Sequence, residues 1–156
     1  MKIIRKTLLL FVCLLFTINM GLSNRETTIN IETKRIDNIV ATMYHPVIEQ
    51  CDVDFNITAD GSEIDIPNAS THKWIAVSRD LLLINGGYFR WGDVIYVFHN
   101  DTLVDRYEIR DTMNKRWTNR IDILETPGTP IYKFNNVTIL HIKPIFVQSQ
   151  TIQEDC

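Results

Sequence analysis

Cysteine is scarce in this chain: three residues in 156, of which Cys13 lies inside an apolar N-terminal run. The other two, Cys51 and Cys156, have no histidine pair near them, which excludes a zinc site of the usual Cys/His spacing. The histidines His45, His72, His99 and His141 are scattered, with no two at ligand spacing on a common element. Neither a Ser-His-Asp nor a Cys-His set can be read, and no metal or organic cofactor is implied. Beyond the N-terminal run no long segment keeps a 3.6-residue period, and no internal repeat or low-complexity tract occurs, so a helical bundle or a solenoid is not expected. The one long apolar run, TLLLFVCLLFTI, is too short to span a bilayer comfortably. An excess of basic charge is missing too: the formal net charge is −3.

Lys2, Arg5 and Lys6 precede the apolar run, and Gly21 and Ser23 follow it, so residues 1–23 read as a secretory signal peptide. The expected location is therefore exported: periplasm, cell envelope or extracellular space, with no stable membrane anchor after cleavage. Loss of those three basic residues leaves 13 Lys and Arg against 19 Asp and Glu, a net charge near −6, which argues against a nucleic-acid partner. A local basic patch remains at Arg110, Lys115, Arg116 and Arg120. Outside the cell a Cys51–Cys156 disulfide is permitted, and spacing alone leaves open whether the two residues meet.

Residues 24–38 are polar and read as a leader or linker with room for one edge strand. From Ile39 the pattern turns to β: IVATMYHPV, WIAVSRDLLL, DVIYVFHN, TLVDRYEIRD, NRIDIL and VTILHIKPIFV are rich in Val, Ile, Tyr and Thr. Turn signals such as ADGS, INGG, RWGD and TPGTP separate them. About six short strands suit a small closed barrel, which leaves no open sheet edge; a sandwich is the alternative. The expected class is all-β.

Three stretches carry chemistry. In YEIRDTMNKRWTNRIDIL, Asp111 and Asp122 each follow a β-favouring run. Strict alternation sets Asp111 on one face with Tyr107 and Ile109, and Asp122 opposite Ile121 and Ile123. If the two isoleucines face the core, Asp122 looks outward onto a groove, and partial cover by an aromatic group such as Trp117 would raise its pKa enough to donate a proton. The plainer reading has Asp111 capping a turn and Asp122 pairing with Arg110 or Arg120. In TADGSEID, Asp60-Gly61 predicts a tight hairpin turn, with Thr58, Ser62 and Glu63 offering polar groups to a sugar. In INGGYFRWGDVIYV, Tyr88, Phe89 and Trp91 are either a stacking platform or core.

In order, ATMYHPV, TADGSEID, WIAVSRDLL, GGYFRWGDVIYV and YEIRDTMNKRWTNRIDIL resemble the double-psi β-barrel domain of the rare lipoprotein A family and the 3D domain of membrane-bound lytic transglycosylase A. The resemblance covers about residues 39–125 and leaves 126–156 as a C-terminal extension with one possible extra strand. It implies a six-stranded double-psi barrel, and an exported, monomeric, peptidoglycan-active protein that cleaves glycan strands between N-acetylmuramic acid and N-acetylglucosamine. By the same resemblance Asp122 matches the general acid and Asp111 its companion. Tyr44, Thr58, Ser62, Ser78, Trp91 and Trp117 are the expected substrate-binding residues.

The chain departs from the family pattern at several places. Ser62 stands where rare lipoprotein A has glutamate, and Glu63 one place on would face the opposite way. Ser78 replaces a histidine, and DTM replaces the D-x-G after the first aspartate. The alternatives are a non-catalytic glycan-binding module in the manner of expansins, or an interaction or inhibitor protein on the same scaffold.

Overall fold

The structure, a computed structural model, describes residues 27–51 and 54–148. The expected signal peptide and Cys156 lie outside those residues. By contacts the chain divides into Ile31–Lys143 and a second unit, Met1–Asn30 with Pro144–Cys156. Of the latter, residues 27–30 and 144–148 are described, and all are extended strand.

The fold is all-β, and six strands close into one barrel. They are β1 (Thr27–Tyr44), β2 (Trp74–Val77), β3 (Val94–His99), β4 (Thr102–Thr112), β5 (Arg120–Leu124) and β6 (Phe134–Gln148). Around the barrel the order is β1-β5-β2-β4-β3-β6. The pairs β1/β5 and β2/β4 are parallel, so their connections cross over the barrel end; β2/β5, β3/β4 and β3/β6 are antiparallel.

Alternation builds the interior. Ile39, Ala41 and Met43 of β1, Ile75 and Val77 of β2, Ile95 and Val97 of β3 enter one cluster. Tyr107 and Ile109 of β4, Ile121 and Ile123 of β5, and Val137 and Ile139 of β6 complete it. Every strand thus contributes an inward face at two-residue spacing, the condition for a small barrel filled by side chains. Phe89, carried by the connection between β2 and β3, is fully buried in the same cluster, so it is core and not part of a stacking platform.

The barrel extends past the 39–125 span expected from the sequence. Strand β1 begins at Thr27, inside the stretch read as a leader, and β6 lies wholly in the stretch read as an extension. β6 pairs with β3 from Val137↔His99 to His141↔Ile95 and closes the barrel instead of adding a strand outside it. Without β6, β3 would be an unpaired edge.

A second apolar cluster lies on the outer face. Tyr44, Ile64, Ala69, Ala76, Met113 and Leu124 pack together, with Trp74 and Trp117 against them. Tyr44, Ala76 and Leu124 are the outward neighbours of inward residues on β1, β2 and β5. The 45–73 connection therefore has an apolar underside to seat on, through Ile64 and Ala69.

Candidate functional site

The site begins with one cross-strand row. On β1, Thr42 pairs with Asp122 of β5; Asp122 pairs with Ala76 of β2; Ala76 pairs with Asp111 of β4. Ala76 thus has an aspartate on either side, two strand spacings apart, or roughly 9–10 Å between α-carbons. Its side chain is one methyl group, so the floor between the two carboxyls stays low.

Asp111 reaches this row through an irregularity. Strict alternation would turn it inward with Tyr107 and Ile109, the face the sequence pattern gives it. Between Ile75/Ile109 and Ala76/Asp111 the β2/β4 register slips by one residue and passes over Arg110. A shift of this kind re-aims side chains, and it turns Asp111 to the outer face with Asp122. Arg110 in turn pairs with Asp60 at 3.0 Å and with Glu108 at 2.8 Å, so it does not neutralise Asp122.

The cleft above the row is lined by Tyr44, Cys51, Thr58, Ala59, Ala76, Arg79, Asp111, Met113, Arg116, Trp117 and Asp122, among others, and has a volume of about 890 Å³. Asp111, Asp122, Tyr44, Thr58 and Trp117 are therefore brought together. Ser62, Ser78 and Trp91 are not. Ser78 is fully buried, and its Oγ accepts the Arg120 N–H at 3.0 Å. Ser62 forms part of the 58–62 turn, where its N–H donates to Thr58 Oγ1 at 3.0 Å and to Asp60 Oδ1 at 3.1 Å. Trp91 is 41% exposed and does not line the cleft.

The predicted turn at Asp60-Gly61 forms, with Gly61 at φ 89°, a conformation that glycine adopts without a Cβ penalty. Thr58 donates its hydroxyl to Asp60 Oδ1 at 2.7 Å. That hydroxyl is committed to the turn, so Thr58 shapes the cleft wall and is not a free donor to a ligand. Glu63 is exposed and pairs with Ile57 in the short hairpin, away from the cleft lining.

The two acids differ in how they are held. Asp111 Oδ1 accepts the N–H of Ala59 at 3.0 Å and of Thr112 at 2.8 Å, and Oδ2 accepts the Tyr44 hydroxyl at 3.0 Å. Burial raises its pKa while these three bonds pull it down, with a net rise. Burial also raises the Tyr44 phenol, beside the Asp111 charge, so the phenol keeps its proton.

Asp122 Oδ1 accepts the Thr42 hydroxyl at 2.7 Å, and among the described residues Oδ2 takes no hydrogen bond. Burial, aided by the Asp111 charge, pushes the Asp122 carboxyl up to about 6, against the Thr42 bond and the Arg120 charge. It forms no ion pair with Arg110 or Arg120 among the described residues.

Thr42 is the site residue that the pattern ATMY contained without marking: it stands two places before Tyr44, on the same outward face. Arg79 and Arg116 were also unmarked as lining residues, since the connections that carry them have no periodicity. Trp117 lines the cleft with the Arg116 and Arg120 guanidinium carbons 5.0 and 4.2 Å from its ring centroid.

Comparison with known proteins adds no relative: no family model, no curated protein and no solved structure matches the chain.

Proposed function

We propose that the chain is an exported glycan-cleaving protein of lytic transglycosylase type, related to the rare lipoprotein A barrels, with Asp122 as its general acid. The observation that carries this reading is the setting of Asp122. It is a carboxyl raised to about 6, at the floor of an open cleft, with one oxygen anchored by Thr42 and the other without a hydrogen bond among the described residues. An acid of that pKa holds its proton on the acidic side of neutrality and gives it up readily.

In the reaction, Asp122 protonates the glycosidic oxygen as its bond to C1 of the muramic residue breaks. The C6 hydroxyl of the same residue attacks C1, and its proton passes to the now ionised Asp122. One C–O bond breaks and one forms, the product is a 1,6-anhydro sugar, no water is consumed, and the acid is regenerated. Asp111, held by three hydrogen bonds, fixes the 58–62 turn as one wall of the cleft and supplies the negative charge that disfavours ionisation of Asp122.

Digestion of purified sacculi tests the proposal. Wild-type protein releases 1,6-anhydro-muropeptides, identified by mass spectrometry, and Asp122→Asn releases none. Retained sacculus binding without any anhydro product from wild type supports the glycan-binding alternative instead. Absence of both product and binding supports an interaction protein on a barrel scaffold.

A further inference from the structure

Three arginines collect at one end of the cleft. Arg79 and Arg116 line it, and Arg116 and Arg120 lie over the Trp117 ring that also lines it. Backbone geometry holds the three together. The Ser78 N–H donates to Arg120 O at 2.9 Å, and the Arg120 N–H returns to Ser78 Oγ at 3.0 Å, which sets Arg79 next to the start of β5. Asp80 Oδ2 accepts the Asn119 N–H at 3.0 Å and ties the 114–119 loop to the same end. Within that loop Asn114 accepts the Arg116 N–H through Oδ1 at 3.1 Å and the Trp117 N–H through its carbonyl at 3.0 Å.

None of these three guanidiniums forms an ion pair among the described residues, whereas Arg35, Lys73 and Arg110 each do. The acidic groups that share the cleft, Glu49, Asp54, Asp111 and Asp122, pair with none of them. In a chain with 19 acidic residues, placing Arg116 and Arg120 on one aromatic ring and Arg79 in the same cleft lining, with no ion pair among the described residues, costs repulsion that a ligand's charge would offset.

We infer that the Arg79–Arg116–Arg120 end of the cleft binds an oxyanion substituent, a carboxylate or a phosphate ester, on the glycan that occupies it. The inference rests on the glycan reading of the cleft and adds its substrate class: an anionic strand, with its charged group seated beside Trp117. A planar guanidinium presents two parallel N–H groups that fit either oxyanion, and Trp117 offers a face beside them for the sugar ring. A neutral glycan leaves these arginines unmatched.

Calorimetric titration tests this, with Asp122→Asn as the background so that no turnover intervenes. The probes are the neutral N-acetylglucosamine tetrasaccharide, a glycan of equal length bearing lactyl carboxylates, and the phosphorylated tetrasaccharide. At low salt at least one anionic probe binds about tenfold tighter than the neutral one. That preference shrinks at high salt and disappears when Arg79→Gln and Arg116→Gln are added, and the anionic probe that binds identifies the source of the charge. Both arginines are exposed, so circular dichroism of the substituted protein should be unchanged. Equal binding of all three probes, no binding of either anionic probe, or a preference that survives the double substitution overturns the inference. Anhydro product from wild type alongside equal binding removes this inference and leaves the cleavage reading; an anionic preference without product does the reverse.

Discussion

Tyr44 donates its hydroxyl to Asp111, at 3.0 Å, and not to Asp122. The phenol comes from the end of β1, two residues after the Thr42 that binds Asp122, so adjacent outward positions on one strand serve different acids. One aspartate is thereby fastened on both oxygens and the other on one. That asymmetry suits Asp111 to building the cleft wall and Asp122 to the proposed role of proton donor.

The fastened acid is a matter of stability. Asp111→Ala leaves the Ala59 N–H, the Thr112 N–H and the Tyr44 hydroxyl without their acceptor, and a loss of about 2–4 kcal/mol is expected. Tyr44→Phe removes one of those bonds and is expected to cost about 1 kcal/mol. Urea unfolding of the two variants checks both the order and the size.

Asp122 acts on stability in the opposite direction. Its folded pKa is raised to about 6 from an ordinary 3.8, so between these values the folded protein binds more protons than the unfolded chain. The stability this proton contributes is complete below about pH 4 and is lost as pH rises through 6. Asp122→Asn removes that dependence, so near neutrality the variant is expected to be as stable as wild type or up to about 3 kcal/mol more stable. Thermal melts of both proteins across pH 4–7 show whether the two curves converge at the acid end.

Much of the barrel is legible because inward positions recur at two-residue spacing, as in Ile121 and Ile123, and the burial of those two isoleucines meets the condition that turns Asp122 outward. The outward turn of Asp111 is not legible, because the one-residue slip that passes over Arg110 is a property of strand pairing and leaves no local signature. The run VTILHIKPIFV is legible as a strand, but its closing of the barrel is not, because it lies beyond the last recognisable motif and its partner β3 is distant in sequence. The early part of β1 reads only as room for an edge strand, because residues 31–35 are exposed on both faces and so show no alternation that would join it to the barrel. The resemblance puts Ser78 at a substrate-binding position, whereas in the fold its buried hydroxyl accepts the Arg120 N–H.

Gly87 has a steric role that φ does not reveal. A Cβ there would run into the backbone of Asp80 and Leu81, closer than real side-chain atoms approach. The Gly87 and Tyr88 N–H groups donate to Leu82 O and Leu81 O, both at 2.9 Å, which fixes this close approach ahead of the core residue Phe89. Gly87→Ala is expected to destabilise by about 3 kcal/mol or more, and Gly61→Ala, strained in φ but facing open space, by about 1 kcal/mol. Chemical denaturation of the pair separates clash from backbone strain.

The same titration sets the activity profile. Under the proposed mechanism cleavage requires the protonated form of Asp122, so kcat/KM is expected to be level below about pH 6 and to fall about tenfold per unit above it. Thr42→Val removes the hydrogen bond that favours the ionised carboxylate and is expected to move that descending limb to higher pH. Initial rates of anhydro-product release from sacculi across pH 5–8 read out both effects.

The proposed acid role of Asp122 requires a proton on its carboxyl under conditions where ordinary aspartates have lost theirs. Carbon-13 NMR titration of the aspartate side-chain carboxyls, assigned by loss of one signal in Asp122→Asn, measures this directly. A midpoint near 6 for Asp122, coincident with the descending limb of kcat/KM, is the predicted result. A midpoint near 4 or below would leave the carboxyl ionised near neutrality and contradict its role as the acid.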